Sequence, residues 1–157
     1  MSQFALRPVE ASDLDAIFEQ MRDPESVRLA AFTAEDPNDR GAFDAHMATV
    51  MSSSENRLRA IVRDSQLVGT IASYPSEGAT EVTYWIDRGC WGQGIATRAL
   101  GLLLEEISLR PIRARASSDN AGSLRVLEKA GFHAVGTELS YAPGRGAEIE
   151  ETILELP

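Results

Sequence analysis

Apolar and polar positions change period several times along this chain, and each change marks an element. Phe4-Ala5-Leu6-Arg7-Pro8 reads as a strand. Ser12 or Asp13 then caps a helix whose apolar face is Leu14, Ile17, Phe18 and Met21, and Asp23-Pro24 breaks it. Residues 28–40 carry no regular pattern. Phe43, Met47, Val50 and Met51 fall at helical spacing, and the Ser52-Ser53-Ser54 run ends that second helix. Arg57 to Arg63 and Leu67 to Tyr74 alternate as a hairpin around Asp64-Ser65-Gln66. After a turn at Pro75 to Gly78, Glu81 to Asp87 reads as a third strand rich in β-branched and aromatic residues.

Gly89 to Gly94 is a glycine-rich loop feeding a helix with Ala96, Ala99, Leu100, Leu103 and Ile107 on one face, closed by Pro111. Ile112 to Ala116 is a short strand. Asn120 opens a helix running to Ala130, and Gly131 is placed to end it in a left-handed conformation. Phe132 to Leu139 and Glu148 to Leu156 are closing strands around Pro143-Gly144-Arg145-Gly146. The segment from Glu81 to Ala116 is strand, helix, strand, so its two strands should run parallel through a right-handed crossover. The sum is an α/β (α+β) domain: a mixed sheet of six to seven strands with about four helices.

The chain's 157 residues suit one domain over 1–157. A net charge of -9 argues against nucleic acid as the main partner, since phosphate binding needs a basic face. The same charge is compatible with a cationic ligand and is equally what a solvated surface looks like. No apolar run approaches membrane-spanning length, and Met1 to Ala5 lacks the basic and apolar stretch of a leader, so a cytoplasmic home is expected. Cys90 is the one cysteine, which leaves neither an internal disulfide nor a cysteine metal site; no metal is expected.

The candidate chemistry lies after the third hairpin strand. The loop Trp91-Gly92-Gln93-Gly94 delivers the chain to the helix start Ile95-Ala96-Thr97. Unpaired N–H groups and the helix dipole make such a terminus an anion site suited to a pyrophosphate, and Thr97 adds a hydroxyl. A triphosphate loop would need Gly-Lys-Ser/Thr, which is absent. A dinucleotide fingerprint would need a third glycine where Thr97 stands. A Gly-x-Gly loop alone is also an ordinary helix-capping device. Asn120 and Ser123 share the first turn of the next helix, where they read equally as an N-cap and a solvated neighbour. If the parallel strands part, the two helix starts frame a cleft at the strand ends, where ligands favour binding.

Together these segments resemble the GNAT superfamily of acyl-CoA N-acyltransferases. Trp91-Gly92-Gln93-Gly94-Ile95-Ala96 is similar to its acyl-CoA loop, and Asn120-x-x-Ser123 through Val126-Leu127-Glu128-Lys129-Ala130-Gly131-Phe132 is similar to its second motif. The match is nearest to the branch that acetylates ribosomal-protein N-termini and related small amines. It covers nearly the whole chain, and Leu6-Arg7-Pro8 with Asp13-Leu14 is similar to the family's opening strand and helix. Trp91 stands where the family often has Arg or Gln, and Leu127 where many relatives carry tyrosine.

The resemblance implies a GNAT fold with a splayed parallel strand pair. It also implies transfer of an acetyl group from acetyl-CoA to a primary amine by direct attack. It places acetyl-CoA against Trp85, Ile86, Trp91, Gly92, Gln93, Gly94, Ile95, Ala96, Thr97, Asn120 and Ser123, with a backbone N–H near Trp85 and Ile86 polarising the thioester carbonyl. Glu81 resembles the branch's base, and is otherwise a solvated strand-end carboxylate. Ser123 is the candidate proton donor to the leaving thiolate, or only its hydrogen-bond partner. The acceptor pocket falls between the two N-terminal helices, the loop near Phe32 to Asp39 and the Ser140 to Gly146 loop. There Asp36, Asp39 and Asp44 would favour a cation and His46 would line the wall. His133 and Cys90 read as surface and loop residues, while Arg88 and Arg98 are candidates for phosphate contacts. A homodimer is common among relatives. The alternatives are a non-catalytic CoA-binding or regulatory module, and an acyltransferase using another acyl-CoA such as succinyl-CoA.

Overall fold

The computed structural model describes residues 3–157; of the segment read for a leader, Met1 and Ser2 lie outside them. In chain order the elements are β1 (Phe4–Pro8), α1 (Leu14–Met21), α2 (Pro24–Ala30), α3 (Arg40–Ser52), β2 (Arg57–Arg63), β3 (Gln66–Ser76), β4 (Ala79–Ile86), α4 (Ile95–Glu106), β5 (Ile112–Ser117), α5 (Ala121–Lys129), β6 (His133–Ala142) and β7 (Ala147–Leu156). Single 3-10 turns at Ala11–Asp13 and Arg88–Cys90 precede α1 and follow β4.

The strands form one seven-stranded sheet in the order β1-β2-β3-β4-β5-β7-β6. Every neighbouring pair is antiparallel except β4 with β5. That pair holds register only at Thr80↔Ile112 and Glu81↔Arg113, after which the strands part. This is the expected mixed sheet with its splayed parallel pair.

Each sheet face has its own core. On one, Ile95, Ala99, Leu100 and Leu103 of α4 and Leu127 of α5 pack with Ile61, Ile71, Val82, Ile112, Ala114 and Leu154. On the other, Ile17 of α1 and Met47 of α3 pack with Val9 and Ala60. Alternation along the strands makes two apolar faces possible from single sequences such as Leu58-Arg59-Ala60-Ile61. No helix among the described residues is long and apolar enough to cross a membrane.

Two sequence expectations need correction. The region after Asp23-Pro24 is not a break followed by loop: α2 occupies Pro24–Ala30. Pro24 sits in the first helical turn, where its missing N–H costs nothing, and the Asp23 carboxylate accepts from the Ser26 N–H at 3.0 Å. The described residues hold five α-helices, in line with the expected four or so. Asp13 does precede α1, but its side chain reaches backward. It accepts from the Glu10 N–H at 2.7 Å and from both Arg7 nitrogens at 2.7 and 2.8 Å.

Candidate active site

β4 runs along one edge of the gap. Its Thr80 N–H points across to the Pro111 carbonyl, whereas the Asp87 N–H donates to Val68 on the β3 side at 2.9 Å. Main-chain direction alternates along a strand, so Tyr84 and Ile86 turn their N–H groups into the gap beyond the last β5 pairing. Trp85 faces the other way: a Cβ on Gly69 of β3 would lie 2.3 Å from its carbonyl oxygen. Of the two residues expected to polarise a carbonyl, Ile86 therefore presents its N–H to the gap. The Trp85 indole instead donates to the Gln20 carbonyl of α1 at 3.0 Å.

The glycine loop closes the end of this gap. Gly92 (φ 77°) and Gly94 (φ 75°) occupy the left-handed region, and Gly94 is the N-cap of α4. The first helical acceptor is the Gly94 carbonyl, which takes the Arg98 N–H at 3.1 Å. Among the described residues, the N–H groups from Gly92 to Thr97 have no partner. This run, at the positive end of a helix of 12 residues, is the anion cradle the sequence suggested. Its flanks are tied down. The Gln93 side chain accepts from Arg63 of β2, and the Trp91 indole donates to the Ile86 carbonyl at 3.0 Å. Ile95 is buried beneath the loop, while Ala96 and Thr97 lie toward the surface on the first turn of α4.

The second helix start lies across the gap. Asn120 caps α5 by accepting the Ser123 N–H at 3.2 Å. Gly131 at φ 102° ends the helix: its N–H meets the Glu128 carbonyl at 3.0 Å and that of Phe132 meets Leu127 at 3.1 Å. The Ser123 hydroxyl lies 2.7 Å from the Tyr84 hydroxyl, which reaches over from β4. Burial pushes the Tyr84 phenol up, with the Ser123 contact working the other way. Leu127, one turn further along α5, is fully buried and brings no polar group.

Glu81 lies on the opposite face of β4 from Tyr84, the face Trp85 shares with α1. The Tyr74 hydroxyl donates to it from the neighbouring position of β3, and Arg115 of β5 pairs with it at 3.4 Å. Arg115 also meets Glu138 at 2.9 Å and Glu151 at 3.3 Å, so one guanidinium serves three carboxylates from three strands. Burial raises the Glu151 carboxyl, and burial and then the Glu81 bond raise the Tyr74 phenol. Glu81 and Ser123 thus flank the gap from different faces of the sheet.

The remaining expected residues are placed as follows. Arg88 pairs with Asp23 at 3.1 Å, and the Arg98 guanidinium stacks on the Phe4 ring at 4.5 Å. Asp39 caps α3, Asp44 pairs with Arg40 at 2.8 Å, and Asp36 accepts from the Asn38 N–H at 2.9 Å. His46 and His133 are exposed. Cys90 lies 3.9 Å from Asp87 and 3.8 Å from Arg63. Among the described residues, no cluster of His, Cys, Asp or Glu is arranged to hold a metal.

Sequence reading missed Tyr84 and Arg115. Strand alternation could have found the second: Arg113 and Arg115 share a face, as do Glu151 and Glu155 on the strand beside them. It also missed the clasp between the β6–β7 hairpin and α2. There the Arg145 Nε donates to the Arg28 carbonyl at 2.5 Å and the Gly144 N–H to the Ala31 carbonyl at 2.8 Å, while Arg145 also holds Asp119, between β5 and α5, through two bonds of 2.8 and 2.9 Å.

A mixed sheet parted at one parallel pair, with an amide cradle and a second helix start at the gap, is the architecture of acyl-CoA-dependent acyltransferases. The family model for the acetyltransferase (GNAT) domain matches residues 3–133, and the chain belongs to this family. It is 38% identical over 81 residues to the probable N-acetyltransferase YjcK of Bacillus subtilis (strain 168), a stretch covering 46% of this chain and 45% of that protein. It is 24% identical over 164 residues to the uncharacterized N-acetyltransferase p20 of Bacillus licheniformis, covering 98% and 92%. Its fold matches that of Mycobacterium smegmatis RimJ, solved in complex with CoA-disulfide, with a TM-score of 0.83 at 21% identity, over 97% of this chain and 80% of that one.

Proposed function

We propose that this chain, as one domain over 1–157 in the cytoplasm, transfers an acetyl group from acetyl-CoA to a primary amine by direct attack. The acceptor is a protein N-terminus or a small-molecule amine. The observation that carries the reading is the run of unpartnered N–H groups from Gly92 to Thr97 at the start of α4, opening on the gap between β4 and β5. A diphosphate satisfies those donors and meets the helix dipole. The pantetheine arm then lies along the free edge of β4, whose unpaired main chain suits an extended amide chain.

The chemistry follows from the groups around the gap. An alkylamine has a pKa near about 10 and is mostly protonated at neutral pH, so it must lose a proton before attacking. Glu81, on the face covered by α1 to α3, takes that proton directly or through water. The nitrogen lone pair forms the C–N bond while the Ile86 N–H, or another β4 donor facing the gap, stabilises the developing oxyanion. The C–S bond breaks with its electron pair on sulfur, and Ser123 hydrogen-bonds the departing thiolate.

The test is CoA release from acetyl-CoA across a panel of amines. Release should occur with at least one amine, rise with pH as free amine accumulates, and fall about a hundredfold in Glu81→Gln. CoA binding without release for any amine would make the protein a CoA-binding module. Faster release from succinyl-CoA would move the acyl preference. Unchanged turnover in both Glu81→Gln and Ser123→Ala would overturn the assignment of base and thiolate partner.

A further inference from the structure

We infer that Tyr84 is a positioning residue for Ser123: its phenol donates to the serine oxygen and so frees the serine proton to face the departing sulfur. This deepens the proposed acetyl transfer and rests on it.

Each hydroxyl carries one proton, so the contact is made with one or the other as donor. In one, Ser123 donates to Tyr84 and the tyrosine proton goes to the Ser123 carbonyl, 3.3 Å away. In the other, Tyr84 donates to the serine oxygen at 2.7 Å. The 2.7 Å contact is common to both, but the first leaves the tyrosine proton only an acceptor at 3.3 Å, beyond the usual O–H···O range. The phenol is also the more acidic hydroxyl and the better donor. Among the described residues, no other side chain meets the Ser123 hydroxyl, because Asn120 takes the N–H of that residue instead. Among the described residues, Tyr84 is the one side chain that fixes where the serine proton points.

Tyr84 has the placement this role needs. It stands on β4 beyond the last pairing with β5, and its side chain spans the gap to the first turn of α5. Burial, which raises its pKa, keeps the phenol neutral and therefore a donor. A bond received by the serine oxygen polarises the O–H it gives onward. In the transfer step the electron pair of the C–S bond moves to sulfur, and the amine proton leaves through Glu81. Ser123 keeps its proton while bonding the thiolate, which is later protonated by water. No further reactant is consumed.

Bound CoA itself is the probe, so no acceptor amine is needed. The thiol pKa of protein-bound CoA is read from thiolate absorbance against pH. In wild type it should lie about one pH unit below the roughly 8.5 of an ordinary thiol. Ser123→Ala should return it to the free value. Tyr84→Phe should recover about half of that difference. In the Ser123→Ala background Tyr84→Phe should add nothing, which a general structural role would not produce. Installing 3-fluorotyrosine at position 84, isosteric and a stronger donor, should depress the thiol further. A Tyr84→Phe value equal to wild type, or a fluorotyrosine value moved upward, overturns the inference. A wild-type value already equal to free CoA removes the Ser123 contact itself. Failure of CoA to bind removes the proposed function, a result distinguishable from both.

Discussion

Ser73 is buried on β3, 1% exposed, and its hydroxyl has no partner among the described residues. It has given up water and gained no bond. Ser73→Ala should therefore stabilise the protein by about 1 kcal/mol, measured as a rise in the urea midpoint at unchanged slope. Destabilisation would show that the hydroxyl is satisfied in solution. Asp13 is the opposite case: the Arg7 guanidinium, by hydrogen bonding first of all, holds its carboxyl below the usual carboxylate range. A lowered folded pKa contributes stability above the unfolded value near about 4, and that contribution is lost as pH falls through the folded value. Arg7→Met should thus cost stability at pH 7 and flatten the acid limb of a stability–pH curve. An unchanged acid limb would mean the pair does not form. Neither residue's circumstance was legible beforehand. Ser73 looks like any polar position in a strand, and a sequence that offers Ser12 or Asp13 as the cap of α1 does not show that Asp13 reaches back to Arg7 on β1.

At the scale of elements, strands and long helices were legible because apolar period and glycine placement carry them. The start of α4 is the best case: Gly92 and Gly94 announced a turn into a helix, and both are left-handed. α2 was hidden because Asp23-Pro24 is ambiguous, closing one helix and opening the next, and only the Asp-Pro order at a cap tells them apart. The clasp on α2 was not legible either. It joins Arg145 to Asp119 and the Arg28 carbonyl, and the Gly144 N–H to the Ala31 carbonyl, groups brought together only by the folded sheet. Its two charged bonds are largely exposed on the Asp119 side, so their worth is at the surface scale, about 1 kcal/mol or less. The local effect should be larger than the global one. Arg145→Ala should speed amide exchange across Pro24–Ala30 about tenfold while leaving α4 and β4 unchanged. Uniform change, or none, would mean that α2 is held by its own packing.

Across the whole molecule, two motifs separated in sequence are joined in space. Chain order made β4, α4 and β5 a parallel unit, and the crossover placed both helix starts at one end of it. What the sequence could not carry is how far the parallel strands part and which side chains bridge them. Those depend on register, and here the parallel register stops at Glu81. The same divergence explains why Tyr84, an ordinary strand aromatic by pattern, faces a gap instead of a neighbouring strand. The family fixes the scaffold and the class of cosubstrate.

Acetyl transfer as proposed requires that main-chain amides from Gly92 to Thr97 hold the diphosphate of CoA. Calorimetric titration with CoA and, separately, with pantetheine, which lacks the diphosphate arm, tests it most directly. CoA should bind saturably at one site per chain, and pantetheine at least about a hundredfold more weakly. Equal affinity for the two, or no heat with CoA, would contradict it.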